Sequence, residues 1–225
     1  MRVMVFGATG MIGQGLVREC LRDESIKEVV LVGRSASGVQ HAKLTEHVVS
    51  DFSALDGLSE LATRTDVCFW CLGVSSNGMS EEAYRRVTLD LTVQVARQLV
   101  GWNPRMTFVF VSGTGADSSG KSRVMWARVK GAAENAVLGM PFRLSYAVRP
   151  AFIQPLHGIR SRTALYRAFY AISGPLFPLL RLLAPDSVTT TEELGRAMLA
   201  LAKSGSAKRV LEQKDLNALV RAPRS

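Results

Sequence analysis

Short, unbroken apolar runs alternate with longer amphipathic stretches along most of this chain. Arg2-Val-Met-Val-Phe6 reads as a buried strand that stops at Gly7, and Met11 to Asp23 follows with Ile12, Leu16, Val17, Cys20 and Leu21 at helical spacing. Val29 to Val32, Glu46 to Val49 and Val67 to Leu72 are the next strands. Ser80 caps a helix towards Val100, with Tyr84, Val87, Leu91, Val95 and Leu99 along one face. Met106 to Val111 is a fifth strand, Ser122 to Leu138 a helix, and Phe142 to Val148 a sixth strand running into Arg149-Pro150.

Apolar strands alternating with amphipathic helices predict βαβ units, hence an α/β fold with a doubly wound parallel sheet of the Rossmann type. Past Pro150 the pattern changes to short helices, at Thr163 to Ile172, Pro175 to Leu183 and Thr191 to Lys203, the last opened by a Thr190/Glu193 capping box. The expectation is one domain over residues 1–225: a dinucleotide-binding core over 1–150 and a small, mainly helical region over 151–225 that sets substrate choice.

Gly7-Ala-Thr9-Gly10-Met11-Ile12-Gly13 joins the first strand to the first helix, where a dinucleotide fold places its phosphate turn. Gly7 permits the tight turn, Gly10 leaves room for a pyrophosphate, and Gly13 lets helix and strand approach. The second strand ends in Val32-Gly33-Arg34-Ser35, without the acidic residue that grips the ribose of NAD. Arg34 suits a 2′-phosphate, which favours NADP(H) over NAD.

A competing motif, Gly115-Ala-Asp-Ser-Ser-Gly120-Lys121-Ser122, satisfies the phosphate-loop pattern G-x-x-x-x-G-K-[ST]. Three residues separate it from the preceding strand, and no later strand ends in a magnesium-binding Asp. It reads as a polar loop rimming the cleft, with an NTPase as the rival interpretation.

The 225 residues carry a formal net charge of +9, unevenly: 11 basic and 13 acidic side chains up to residue 120, 17 and 6 beyond it. A basic half attracts anionic cofactors, acidic substrates, lipid heads or nucleic acid. Nucleic acid is disfavoured because the basic residues after Arg123 show no aromatic interleaving and no recognition helix. Leu165 to Ala184 is broken by Arg167, Gly174, Pro175, Pro178 and Arg181, so it predicts helices over a cleft rather than a span, with contact to an anionic membrane surface as the lesser alternative. The apolar start leaves no room for an export signal, and three cysteines leave one thiol unpaired, so a reducing cytoplasm is expected. Cys68 and Cys71 have C-x-x-C spacing but should face opposite sides of a strand, and no metal site is expected.

These motifs, together with Asp51-Phe52, Cys71-Leu72-Gly73, Val111-Ser112, Lys130-Gly131 and Arg149-Pro150, make the chain resemble an atypical or extended short-chain dehydrogenase/reductase. It is most similar to the Tat-interacting-protein-like branch, of the NAD-dependent epimerase/dehydratase type. The resemblance implies Asp51 and Phe52 near the adenine, Leu72 and Gly73 along the cofactor, and Arg149, Pro150, Ala151 and Ile153 beside the nicotinamide. It also implies hydride transfer between NADP(H) and a small carbonyl or hydroxyl substrate.

The Tyr-x-x-x-Lys of that family becomes Trp126-Ala-Arg-Val-Lys130 here. Indole cannot exchange a proton near neutral pH. Lys130 should then hold the nicotinamide ribose, Trp126 should wall the substrate pocket, and Ser112 or Thr114 should polarise the substrate oxygen, with Tyr84, Tyr146, Tyr166 or Tyr170 as alternative acids. A non-catalytic NADPH-sensing module acting on a protein partner is the second reading.

Overall fold

The structure is a computed structural model that describes residues 1–52, 55, 57–159 and 177–221. Seven parallel strands form one sheet in the order β3-β2-β1-β4-β5-β6-β9. They are β1 (Arg2–Phe6), β2 (Glu28–Gly33), β3 (Leu44–Val48), β4 (Val67–Trp70), β5 (Thr107–Val111), β6 (Leu144–Arg149) and β9 (Val210–Glu212). A second, two-stranded parallel pair joins β7 (Phe152–Gln154) to β8 (Val188–Thr190).

Both faces of the sheet are buried, which is why its strands read as unbroken apolar runs rather than alternating ones. Met4, Phe6, Cys68, Trp70 and Phe108 point to one face, packed beneath α4 (Leu91–Trp102) and α5 (Met125–Leu138). Val3, Val5, Val67, Phe69 and Val109 point to the other, beneath α1 (Met11–Arg22), α7 (Thr191–Ser204) and α8 (Gln213–Arg221). On the first face Phe6, Trp70, Phe108 and Phe142 form a chain of aromatic contacts with ring centroids 4.9, 6.4 and 5.0 Å apart. Each such side chain contributes roughly 1.5 to 3 kcal/mol of burial.

Cys68 and Cys71 fall on opposite faces, as their spacing predicts, and all three cysteines are free thiols. Burial pushes each thiol pKa up, Cys71 to about 12, so they remain protonated.

The helix predicted from Ser80 forms, with Ser80 Oγ accepting from the Ala83 N–H at 3.2 Å. Tyr84, Val95 and Leu99 are buried as predicted and Leu91 packs against the core, but Val87 does not share their face. Between α3 (Glu81–Arg85) and α4 the chain makes a π turn over Arg86–Asp90, and this extra residue rotates the face. Thr88, Leu89 and Thr92 turn inward while Val87 is left 38% exposed.

The C-terminal region is less separate than its short helices suggest. Strand β9 extends the main sheet beside β6, and α7 lies across α1. A three-residue strand such as β9 is too short to register as a periodic pattern. The predicted helix at Pro175 to Leu183 appears as α6 (Phe177–Leu183), and that at Thr163 to Ile172 lies outside the described residues. No helix among the described residues is long and apolar enough to cross a membrane.

Crossing of α1 and α7 depends on Gly15 and Gly195. A Cβ on Gly15 would lie 2.6 Å from the Thr191 carbonyl oxygen, and one on Gly195 would lie 3.0 Å from that of Gly15. Helix α7 begins at this contact, where Thr190 Oγ1 accepts from Glu193 N and Glu193 answers through the Thr190 N–H, closing the capping box. Gly15→Val should therefore force the helices apart and cost about 1 to 3 kcal/mol in urea unfolding. Gly101→Ala, where an added Cβ meets nothing within 4 Å, should instead stabilise α4 by about 0.5 kcal/mol.

Candidate active site

The site opens at the C-terminal ends of β1 and β4, where the strand order reverses direction. Gly7, at φ +78°, turns the chain out of β1 so close to β4 that a Cβ would sit 2.7 Å from the Cys71 carbonyl oxygen. A Cβ on Gly13 would sit 2.2 Å from the Gly7 oxygen. Packing therefore requires both glycines. Gly10 differs: its backbone is extended, and an added Cβ would meet only the Gly7 oxygen, at 3.3 Å. Helix α1 starts there with no side-chain cap and no acidic residue in its first turn. A phosphate over this turn would meet the N–H groups of Met11 and Ile12 without a competing carboxylate.

A cleft of about 390 Å³ runs from this turn across the ends of β2 and β3. Gly7, Thr9, Arg34, Phe52 and Leu72 line it as expected, and Ser35, Ser37, Glu46 and His47 join them. Arg34 is exposed and makes no ion pair among the described residues. The lining carboxylate of Glu46 is taken up by the backbone N–H and hydroxyl of Ser37. Asp51 is exposed and does not line the cleft, whereas Phe52 is buried against Phe6, 6.0 Å between centroids.

On the other side of the turn, Lys130 sits beneath the ends of β4 and β5. Its Nζ donates to the Val111 carbonyl at 3.1 Å, lies 5.1 Å from the centre of the Phe110 ring, and is 4.0 Å from where a Cβ on Gly73 would be. Burial pushes its pKa down to about 8, against the pull of Glu134. Trp126 lies one helical turn earlier, its ring edge 3.2 Å from where a Cβ on Gly115 would be.

The profile of the NAD dependent epimerase/dehydratase family matches residues 3–123. The chain belongs to that family. Protein HTATIP2 of Rattus norvegicus is 29% identical over 154 residues, 67% of this chain and 62% of the rat protein. The mitochondrial protein fmp52 of Emericella nidulans is 27% identical over 158 residues, 67% of this chain and 66% of its own. The chain thus matches less than two thirds of either relative. Among solved structures, WbmF of Bordetella bronchiseptica in complex with NAD+ has a TM-score of 0.68 at 16% identity, covering 97% of this chain and 77% of that one. A short chain dehydrogenase from Burkholderia cenocepacia in complex with NADP has 0.66 at 15%, covering 94% and 86%. Both share its fold.

Within this epimerase/dehydratase framework, several expected residues have other occupations. Thr114 Oγ1 donates to the Arg149 carbonyl at 3.0 Å, so its proton is committed. Ser112 Oγ is buried and makes no hydrogen bond of good geometry among the described residues, although it lies near enough to Glu134 to stabilise that carboxylate. Tyr84 is packed in the core, Tyr146 accepts from Ser206 N on the opposite face of the sheet, and Tyr166 and Tyr170 lie outside the described residues.

Arg149 is turned away from the cleft into a buried ion pair. Its Nε and Nη2 donate to the two oxygens of Glu134 at 2.9 and 2.6 Å, its Nη1 to Glu212 at 2.8 Å, and Nη2 also to Ser118 Oγ at 2.8 Å. Its side chain is therefore not available beside a nicotinamide. Pro150, Ala151 and Ile153 follow it, with Ala151 N held by Gln213 Oε1 at 3.0 Å and Ile153 buried in the core. Glu134 was the residue that periodicity passed over. A carboxylate between Ala133 and Val137 on the inward face of α5 was its signal.

The phosphate-loop motif is closed by its own chain. Asp117 accepts from the Ser119 N–H and hydroxyl at 2.9 and 2.6 Å and from Ser122 N at 2.6 Å, bonds that pull its pKa down to about 2. These N–H groups are the ones a nucleotide phosphate would need. The loop also lies on α5 so tightly that a Cβ on Gly131 would overlap the Asp117 carbonyl, at 1.9 Å.

Burial works to raise the Glu134 carboxyl, but the Arg149 fork outweighs it and holds the group below the usual range. A depressed folded-state pKa contributes stability that is complete above the unfolded value near 4.5 and lost as pH falls through the folded one. Glu134→Gln should thus cost about 3 kcal/mol at pH 7, by leaving Arg149 short of its partner, and should flatten the acid limb of a stability-against-pH curve measured by denaturant melts.

Proposed function

We propose that the chain binds NADP(H) in this cleft and transfers hydride between the nicotinamide and a small carbonyl or hydroxyl compound. Arg34 carries the cofactor choice. An exposed guanidinium without an ion-pair partner stands at the end of β2, beside Ser35, where a ribose-gripping carboxylate would favour NAD. Glu46 lines the same cleft, its carboxylate hydrogen-bonded by Ser37 but still negative, and the Arg34 guanidinium is the charge that opposes it there. Membership of an NAD dependent family and the bare, uncapped start of α1 support a dinucleotide at Gly7–Gly13.

A bound nicotinamide would supply or accept the hydride, and the remaining tasks fall to the chain. Thr9, Gly10, Met11 and Ile12 would hold the pyrophosphate through backbone groups, Phe52 would flank the adenine, with Asp51 outside the cleft lining, and Leu72 and Gly73 the middle of the cofactor. Lys130 would hold the ribose and, with its lowered pKa, is the described group best suited to exchange a proton near neutral pH. Trp126 would wall the substrate pocket. The three free thiols fit a reducing compartment, and we place the protein in the cytoplasm.

A second reading, an NADPH sensor without turnover, is favoured by the committed Thr114 proton and by Trp126 in the tyrosine position. Binding and turnover separate the two. NADPH should bind at least several-fold more tightly than NADH in a fluorescence titration, and Arg34→Ala should remove most of that gap by deleting one charge-assisted phosphate contact. Gly10→Val should abolish both. Equal affinities in the unmutated protein would remove the assignment of Arg34.

Turnover is read with NADPH and a carbonyl panel. A reductase should lose most of its rate in Lys130→Met, and Lys121→Ala should leave NADPH affinity unchanged. A sensor should show no oxidation until Trp126→Tyr restores a phenol next to the ammonium.

A further inference from the structure

Seven parallel strands begin on the side of the sheet opposite the cofactor cleft, and the entry points of its central strands bring arginines together. The register pairs Val3 with Val67, Val67 with Thr107 and Thr107 with Leu144. The preceding residues, Arg2, Asp66, Met106 and Arg143, therefore stand in a row along four strand starts about 4.8 Å apart. Arg64 and Arg105 enter the same space from the loops before β4 and β5. Together they surround a basin of about 410 Å³.

The floor of this basin is built. Asn103 is buried and its side-chain amide donates to the carbonyls of Ala62, Thr63 and Thr65 at 3.1, 3.2 and 2.8 Å, while its oxygen accepts from Arg105 N at 3.1 Å. One side chain thereby fixes the loop carrying Arg64 to the loop carrying Arg105. Arg143 is oriented by a bond from Nη2 to Thr107 Oγ1 at 3.0 Å.

Charge in the basin is not balanced. Glu28 is shared between Arg2 and Arg64, at 3.6 and 2.7 Å. The Asp66 carboxylate accepts the backbone N–H of Arg2 at 2.6 Å rather than a guanidinium. Arg105 and Arg143 make no ion pair among the described residues. Two guanidiniums without anionic partners, with two more at the wall, match a multiply charged oxyanion that accepts paired N–H bonds. None of the lining residues is aromatic, so no base-stacking surface accompanies the charge.

We propose that this basin is a second anion site, on the far edge of the sheet from the cofactor cleft, and that it takes a small phosphate-bearing ligand. It is independent of the dinucleotide reading, because its residues come from the opposite strand ends.

Inorganic pyrophosphate, titrated calorimetrically into the full chain carrying Gly10→Val at low salt, tests this with the α1 turn already blocked. Saturable binding to one site is expected, weakened at least tenfold by Arg105→Glu and less by Arg105→Ala. Lys121→Glu makes the same charge change on the rim of the other side and should alter affinity less than twofold. Arg105 is exposed and its side chain has no partner among the described residues, so thermal melts of both variants should match the parent. Absence of saturable binding, equal losses in Arg105→Glu and Lys121→Glu, or tighter Arg105-dependent binding of a single-stranded RNA than of pyrophosphate would each overturn the proposal. If the α1 turn is no anion site after all, Gly10→Val is merely silent and the Arg105 comparison reads the same.

Discussion

Two backbone approaches too close for any side chain, Gly7 against the end of β4 and Gly13 against Gly7, set the geometry on which the cleft depends. They draw the first helix down onto the sheet at the point where strand order reverses, and they aim its unpaired N–H groups into the opening. Gly10, between them, is under no such internal demand. A turn in which two glycines are needed by the fold and the third is left with space above it is what a ligand-bearing turn requires, and it distinguishes this motif from a chance spacing of glycines.

The buried pair of Glu134 and Arg149 performs a corresponding task at the opposite end of the site. Glu134 is fully buried and the Arg149 side chain 14% exposed, so each charge would be costly alone. Paired, they bind α5 to β6, and through Ser118 and Glu212 they add the 113–122 loop and the end of β9. The loop that carries a phosphate-loop signature is thereby made part of the scaffold. Its donors satisfy Asp117, and its backbone rests on Gly131. The same pair explains why Arg149, expected beside the nicotinamide, turns its side chain the other way.

Strands and helices up to residue 150 were legible because burial on both faces of a parallel sheet leaves a strong signal: runs such as Val29 to Val32 have few other uses. The cleft residues Gly7, Thr9 and Arg34 were legible through a motif whose physical logic is local, and Phe52 and Leu72 only through the family resemblance. What escaped were features decided by partners distant in the chain. The π turn at Arg86–Asp90 depends on packing against α5, and β9 is defined only by pairing with β6. Likewise, the donor capacity of Thr114 and Arg149 is set by acceptors that sequence spacing does not reveal. Charge was misleading in one respect: the half with the slightly negative total contributes three of the four arginines of the basin at the strand starts, because topology rather than local composition gathers them.

The crossing of α1 and α7 has a kinetic side. Arg18 meets Glu192 at 3.5 Å across a separation of 174 residues, and β6 finds β9 only after the intervening chain has folded back. The apolar underside of α1 is consequently made well before the helix that covers it, and the edge of β6 before the strand that pairs with it. Loop closure over such distances is slow, and an uncovered sheet edge is open to pairing with other chains in the meantime. The glycines that let these two helices touch thus govern more than the finished packing: they decide how readily a late-arriving helix can dock onto a surface that has been waiting, wet and adhesive, since α1 was made.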